Sequence, residues 1–224
     1  MGLELVGEKA LLTGARGERA MVGTRAFVVA AAIVAAAPSW AEDFTEPKSG
    51  VTFPLKRDAG TLLGAGLRVK KIAFVKVKVY AAGLYVGDDA LGGPLAVHRG
   101  KTGTAAFYKD LVWGDFPKEI VLHFTRDLGQ ERIQDAMREA LSSAEKGPLD
   151  TFVSYFPEVR TGEECILRWG AGGVLEAVMA GKPKPPIANK AFAAAVFALY
   201  LGETPLQDDL KTDLVSRAAQ VLGP

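Results

Sequence analysis

An arginine follows a glycine pair in Gly64-Ala65-Gly66-Leu67-Arg68, and Tyr80 stands twelve positions further on. Glycines let other backbone approach closely, so this pattern favours an arginine held in a fixed direction. A guanidinium group offers paired donors and a nearby phenol adds a third, a combination that suits a carboxylate or an enolate oxygen. The sequence alone leaves one alternative open, in which Arg68 forms a salt bridge on the protein surface.

Other familiar motifs of catalysis or cofactor binding are incomplete. Gly64-Ala65-Gly66 lacks the third glycine of a dinucleotide-binding loop, because Val69 stands at that position. Gly100-Lys101-Thr102 resembles the end of a phosphate-binding loop, but Leu95 stands where its first glycine should be. The sequence therefore predicts neither of these nucleotide sites.

Candidate metal ligands and nucleophiles are few. The chain has two histidines, His98 and His123, and one cysteine, Cys165. His123 lies within an apolar strand pattern, which favours a structural role, and Cys165 precedes two aliphatic residues, which favours the core. A single cysteine also excludes an internal disulfide. We predict no metal ion and no cofactor.

The alternation in Val75-Lys76-Val77-Lys78-Val79 predicts a strand with one buried face. Because side chains alternate with a period of two, Lys76 and Lys78 are expected to share the other face with Tyr80. Tyr80 would then stand where the solvent-exposed part of this strand face becomes buried. Such a boundary is either the mouth of a pocket or the point where a strand passes under a helix.

The elements that must position these residues follow from periodicity and turn signals. The predicted strands are Val51–Leu55, two strands within Leu62–Val86 that turn near Lys70-Lys71, Val121–Thr125, Cys165–Trp169 and Val174–Ala180. The predicted helices begin at Gln130, span Leu149–Phe156 and Lys190–Leu201, and begin again at Thr204. Strands and helices do not alternate regularly, so we predict an antiparallel α+β domain.

Two helix boundaries carry clear signals near the C-terminus. Asn189 is expected to cap Lys190–Leu201, and Gly202 to end it. In the last predicted helix, Thr204 suits the N-cap and Gln207 stands where a capping box places glutamine.

Composition limits the classes of partner. The chain of 224 residues is 49% hydrophobic, enough for one ordinary domain, and its formal net charge is +1. A balance of 27 basic and 26 acidic residues argues against a nucleic-acid-binding protein, and equally against a polybasic membrane-surface protein.

The first 41 residues read as a targeting segment. Arg25 precedes the uncharged apolar run Ala26–Ala37, and Pro38-Ser39-Trp40-Ala41 ends it with small residues suited to cleavage after Ala41. The run is too short to span a bilayer, so we expect no membrane span in the mature domain, residues 42–224. The true start is either Met1 or Met21. Export to a bacterial periplasm and delivery to a plastid (stroma or thylakoid lumen) both remain open.

The same residues resemble the chalcone isomerase superfamily. The resemblance runs in order from about Val51 to the C-terminus and is carried by Gly64–Arg68, Lys78–Val86, Phe107–Asp110, Lys118–Leu128, Asn189–Ala191, Gly202-Glu203 and Asp209–Lys211. It implies an open-faced β-sandwich, an antiparallel sheet with helices packed on one face.

The resemblance also implies which catalytic positions of the isomerases are kept. The arginine is kept as Arg68, and Tyr80 replaces the strand threonine. The tyrosine, lysine and asparagine of the following helix fall at Arg132, Asp135 and Glu139, and a later threonine falls at Leu199. Acidic residues near a developing oxyanion oppose its stabilisation, so chalcone cyclisation is not expected.

Three hypotheses follow. The arginine–tyrosine pair resembles the fatty-acid-binding branch, which implies a carboxylate clamp of Arg68 and Tyr80, with Leu199, Phe192 and Val196 lining a pocket for the acyl chain. An isomerase or lyase for another conjugated carbonyl compound is the second, with Asp135 or Glu139 as base. The third is a protein that shares only the fold and acts as an auxiliary partner of another enzyme or of a membrane process. An apolar, elongated pocket that ends at Arg68 would favour the first hypothesis. A short pocket in which Asp135 or Glu139 faces Arg68 would favour the second, and the absence of a cavity would favour the third.

Overall fold

The computed structural model describes residues 43–224. The predicted targeting segment, residues 1–41, lies outside this range, and its cleavage after Ala41 stays a prediction. Among the residues described, no helix is both long enough and apolar enough to cross a bilayer.

The centre of the fold is a seven-stranded antiparallel sheet with strand order β3-β4-β5-β6-β7-β8-β9, beside a separate β1–β2 hairpin. The strands are β1 (Asp43–Thr45), β2 (Thr52–Pro54), β3 (Lys56–Arg57), β4 (Gly60–Ile72), β5 (Val75–Val86), β6 (Lys118–Phe124), β7 (Glu164–Trp169), β8 (Leu175–Met179) and β9 (Lys182–Pro183). The predicted strands are all present, and Cys165–Trp169 pairs with β8 as expected.

The β4–β5 hairpin is longer than predicted. The expected turn at Lys70-Lys71 lies inside the ladder, where Lys70 pairs with Val77 and Lys71 with Lys76. The chain reverses instead at Ala73-Phe74, where Ala73 has a φ of 53°. The hairpin therefore projects several residues beyond the point that the lysine pair indicated.

Helices cover one face of the sheet. They are α1 (Asp88–Gly92), α2 (Ala105–Trp113), α3 (Gln130–Ala140), α4 (Lys146–Ser154), α5 (Lys190–Leu201), α6 (Asp208–Asp213) and α7 (Ala218–Leu222). The prediction for α5 is confirmed at both ends, since the Phe192 N–H donates to the Asn189 side chain over 2.9 Å and Gly202 ends the helix. Helices α2 and α5 pack on each other, and α6 packs on β4.

The opposite face of the sheet is covered by the small β1–β2 hairpin. Phe53 is buried there with Leu62, Ala81 and Tyr85, and a Cβ on Gly83 would lie only 2.7 Å from the Phe53 ring. One sheet thus has a helical layer on one face and a thin strand layer on the other. The predicted α+β class and its antiparallel sheet are confirmed.

Candidate functional site

Glycines in β4 allow helix α6 to lie directly against the strand. A Cβ added to Gly66 would stand 2.5 Å from the Cβ of Asp213, and one on Gly64 would overlap the Asp213 carbonyl oxygen. Any side chain at either position would push α6 off the sheet. Arg68 follows Gly66 by two positions on the same face of the strand, so the close approach places the segment before α6 beside Arg68.

Gln207, immediately before α6, binds this part of β4 through its side-chain amide. Its Oε1 accepts from the Val69 N–H over 2.9 Å and from Arg68 Nη1 over 3.2 Å, and its Nε2 donates to the Leu67 carbonyl over 3.1 Å. The predicted capping box is therefore wrong, since α6 begins at Asp208 and Gln207 is its N-cap without a side-chain cap. The glutamine instead fixes the Arg68 guanidinium.

We expect Gln207→Ala to lower the free energy of unfolding by about 1–3 kcal/mol. It removes three hydrogen bonds and leaves the Val69 N–H and Leu67 carbonyl without their partner. Urea unfolding measures the change. Gln220→Ala, at an exposed position on α7, is the control and should change stability by less than about 0.5 kcal/mol. Equally small effects of both variants would contradict the conclusion that Gln207 stabilises this part of β4.

A β-bulge places Tyr80 on the same face as Arg68. Arg68 pairs with Tyr80 and Val69 with Lys78, so Val79 is an additional residue in β5. Beyond a bulge the alternation shifts by one. The expectation that Tyr80 shares a face with Lys76 and Lys78 is therefore wrong. Tyr80 joins Val77 and Val79 on the helix-covered side instead.

Tyr80 is buried and electrically neutral at ordinary pH. Burial raises the pKa of its phenol to about 12, against the opposing effect of the Arg68 charge. The Tyr80 ring packs edge-on against Phe124, with 5.8 Å between centroids. The Tyr200 phenol of α5 interacts with that of Tyr80, and burial holds its pKa well above the ordinary value. The protonated Tyr80 phenol beside the Arg68 guanidinium group is a hydrogen-bond donor for an anion in the cavity, and Tyr200 supports it from behind.

Arg68 and Tyr80 both line a cavity of about 390 Å³ between the sheet and α3. This volume lies in the range of small-molecule sites. The apolar lining residues are Val77, Val79, Leu122, Phe124, Leu128, Ile133, Ala136, Met137, Phe156 and Leu206. The charged lining residues are Arg68, Lys70, Lys71, Arg126 and Arg132. Among the described residues, no carboxylate lines this cavity.

Four residues of this site were not predicted as ligand contacts. Arg126 lines the cavity, and its buried Nε has no hydrogen-bond partner within the described part of the chain. Arg132 lines it too, although only the family comparison had drawn attention to that position. Gln207 and Tyr200 reach Arg68 and Tyr80 from other elements. A buried donor without a partner is a structural signal, for which the sequence carries no pattern.

The predicted wall residues lie elsewhere. Phe192, Val196 and Leu199 are buried in α5 within the main core, and Phe192 packs edge-on against Phe152 at 5.6 Å. They are not among the cavity-lining residues, because α5 packs on α2 and β8 while the cavity lies under α3. The neighbouring Tyr200 is the residue of α5 that reaches the site.

The two candidate bases do not face Arg68. The Asp135 side chain is 76% exposed and pairs with Arg138 over 3.1 Å, and Glu139 is exposed on the same helix. The histidines are also separate from the cavity lining: His98 is buried against Asp110 at 2.7 Å, and His123 lies 3.7 Å from Glu164. Cys165 is buried in the core as expected.

Known proteins match this sequence over most of its length. Fatty-acid-binding protein 1 of Arabidopsis thaliana is 27% identical over 203 residues, which cover 80% of this chain and 72% of that protein. Chalcone–flavanone isomerase 1A of Glycine max is 30% identical over 204 residues, which cover 81% of this chain and 94% of that enzyme. Chalcone isomerase-like protein 1 of Humulus lupulus is 27% identical over 183 residues, 72% of this chain and 84% of that protein.

Comparison with solved structures and families identifies the fold. The crystal structure of an Arabidopsis thaliana fatty-acid-binding protein matches with a TM-score of 0.71 at 24% identity, covering 81% of this chain and 99% of that one. The chalcone isomerase-like family model matches residues 49–216, more than half of the chain. The chain therefore belongs to the chalcone isomerase-like family.

Proposed function

We propose that the protein binds free fatty acids without transforming them, with the carboxylate held by Arg68 and Tyr80. The observation that carries this proposal is the lining of the cavity, which combines apolar side chains with five cationic ones. Such a lining matches a ligand with one negative end and a long hydrocarbon tail. A relative that is named a fatty-acid-binding protein supports the same ligand class.

The energetics of the lining are sufficient for useful affinity. Hydrogen bonds to a charged group contribute roughly 1.5–3 kcal/mol each. Each buried methylene group contributes about 0.8 kcal/mol. A carboxylate with a medium or long tail can therefore offset the costs of association and reach micromolar binding.

An isomerase or lyase is the less supported alternative, although chalcone–flavanone isomerases are among the relatives. Such a reaction needs a base beside the substrate. The candidates Asp135 and Glu139 are exposed on the outer side of α3, and the ionisable side chains around the cavity are cations and Tyr80. This arrangement suits an anion, and among the described residues it provides no carboxylate to accept a proton.

Native mass spectrometry of the full chain tests the proposal, before and after addition of a series of saturated fatty acids. We expect a bound acid at one equivalent, and we expect Ala136→Phe to remove it, because Ala136 lines the cavity and a phenyl ring there would fill much of it. Ala219→Phe, at an exposed position of α7, is the matched control and should bind like the wild type.

Circular dichroism must show that both variants are folded. A wild-type chain that stays empty with every acid would contradict the proposal and favour the partner-protein hypothesis. Binding that survives in folded Ala136→Phe would place the acid at a different site.

A further inference from the structure

The tip of the β4–β5 hairpin exposes two large apolar side chains. Phe74 is 96% exposed and Val75 is 63% exposed, next to each other in the chain. Isolated apolar side chains on a surface are ordinary, but an adjacent aromatic and aliphatic pair at the end of a projecting hairpin is not explained by packing. Neither side chain belongs to a buried cluster in the described part of the chain.

Basic residues surround this apolar tip. Between positions 68 and 78 the sequence has five basic residues and no acidic one: Arg68, Lys70, Lys71, Lys76 and Lys78. The four lysines are exposed on the two strands that lead to Phe74. The net charge of +1 for the whole chain conceals this local excess, so the composition argument against a membrane-surface protein does not hold for the hairpin.

We propose that the β4–β5 hairpin tip docks on a lipid bilayer that contains anionic headgroups, with Phe74 and Val75 entering the interface between headgroups and acyl chains. An aromatic and an aliphatic side chain are favourable at that depth. Lysines near an anionic membrane surface each add attraction. The same hairpin would thus supply both the apolar insertion and the electrostatic attraction that reversible membrane binding requires.

A second copy of the chain fits the tip less well. Two hairpins that meet at their tips would bring eight lysines together. The hairpin has no acidic residue between positions 68 and 78 to offset their positive charge. A lipid surface with anionic headgroups has the complementary charge and accepts apolar side chains. The charge pattern therefore favours the membrane as the occupant.

The cavity lies beside this hairpin. Lys70, Lys71 and Val77, which precede and follow the tip, line the same cavity as Arg68 and Tyr80. Docking by the tip would bring the cavity close to the headgroup layer. If the proposed function holds, a fatty acid would have a short path between bilayer and cavity. The docking surface itself does not depend on that function.

Vesicle flotation of the full chain tests the surface without any added fatty acid. The vesicles contain either phosphatidylcholine alone or phosphatidylcholine mixed with phosphatidylglycerol. We expect binding to the mixed vesicles, an affinity at least about tenfold lower for Phe74→Ser/Val75→Ser, and one roughly 25-fold lower for Lys76→Gln/Lys78→Gln, at about a factor of five per lysine. Added salt should weaken wild-type binding.

Matched controls lie outside the hairpin. Val97→Ser removes another strongly exposed aliphatic side chain, and Lys101→Gln/Lys109→Gln removes the same charge from exposed positions. Both should bind like the wild type. Residues 1–42 are present in every variant, so their contribution cancels in the comparison.

The proposal is overturned if the wild type does not float with mixed vesicles, or if both hairpin variants float as well as their controls. A wild-type dimer that Phe74→Ser/Val75→Ser dissociates, without vesicle binding, would identify a second copy as the partner. Loss of vesicle binding with unchanged fatty-acid uptake would separate the docking surface from the ligand site.

Discussion

Replacing Arg68 by methionine is expected to weaken fatty-acid binding roughly 10- to 150-fold and to leave the fold intact. Methionine keeps much of the length and apolar character of the side chain but removes the guanidinium donors. The loss of one charge-assisted contact, about 1.5–3 kcal/mol, corresponds to this range. Isothermal titration with a saturated fatty acid measures the change, and Arg68 is only half-buried, so its removal leaves no deep void.

A ligand that lacks the carboxylate provides the internal control for this variant. A fatty alcohol of equal length lacks the charge, so wild type and Arg68→Met should bind it with similar affinity. Arg138→Met, on the exposed side of α3, should bind the acid like the wild type. Equal weakening for acid and alcohol would mean that Arg68→Met distorts the cavity, and unchanged acid binding would place the carboxylate at another cation, for which Arg126 is the foremost candidate.

Part of this site could be predicted because local sequence determines it. Gly64 and Gly66 indicated a close backbone approach, which the position of Asp213 confirms. Asn189 and Gly202 marked both ends of α5, because caps are satisfied within a few residues of the chain. These features depend on neighbours in sequence, so a single sequence contains the information.

The rest depends on registers and contacts between distant segments. The bulge at Val79 changes the face of every following residue of β5, yet no glycine or other residue type marks it. Gln207 fitted a capping box well, but the donors and acceptors of β4, almost 140 positions away in sequence, compete for its amide. The sequence likewise points to α5 as the wall of the cavity, whereas α3 forms it. Both helices have apolar residues, and which of them covers the cavity depends on contacts between segments that are distant in sequence.

Lys118 presents a buried cation that the sequence did not indicate. It is 1% exposed and lies at the start of β6, with its Nζ 3.9 Å from the Trp169 ring centroid and 4.7 Å from that of Phe116. The Nζ donates to the Gly114 carbonyl over 2.7 Å. The acid that raises the pKa of Lys118 is Asp115, whose carboxylate accepts a hydrogen bond from the Trp169 indole rather than from Lys118.

Two effects compete at this lysine. Aromatic faces and carbonyl oxygens stabilise the ammonium group, while removal from water destabilises it. Burial is the larger effect, because carbonyl and ring contacts do not replace a full hydration shell or a paired carboxylate. The pKa of Lys118 is therefore lowered to about 7. In the unfolded chain the amine keeps a pKa near its ordinary value of 10.5.

The difference in unfolding free energy between wild type and Lys118→Met should therefore rise with pH from about 7 to 9.5, by up to about 1.4 kcal/mol per pH unit. In that range the unfolded chain binds more protons at residue 118 than the folded one, so raising the pH favours folding of the wild type. Methionine has no proton to lose. Groups that titrate in both proteins, including the buried tyrosines whose raised pKa values reduce stability above about pH 10, cancel in the difference.

Urea unfolding across this pH range measures the difference in unfolding free energy, with exposed Lys109→Met as a control that should show no slope. A flat difference for Lys118→Met would mean that the aromatic rings and carbonyl groups keep the buried amine charged.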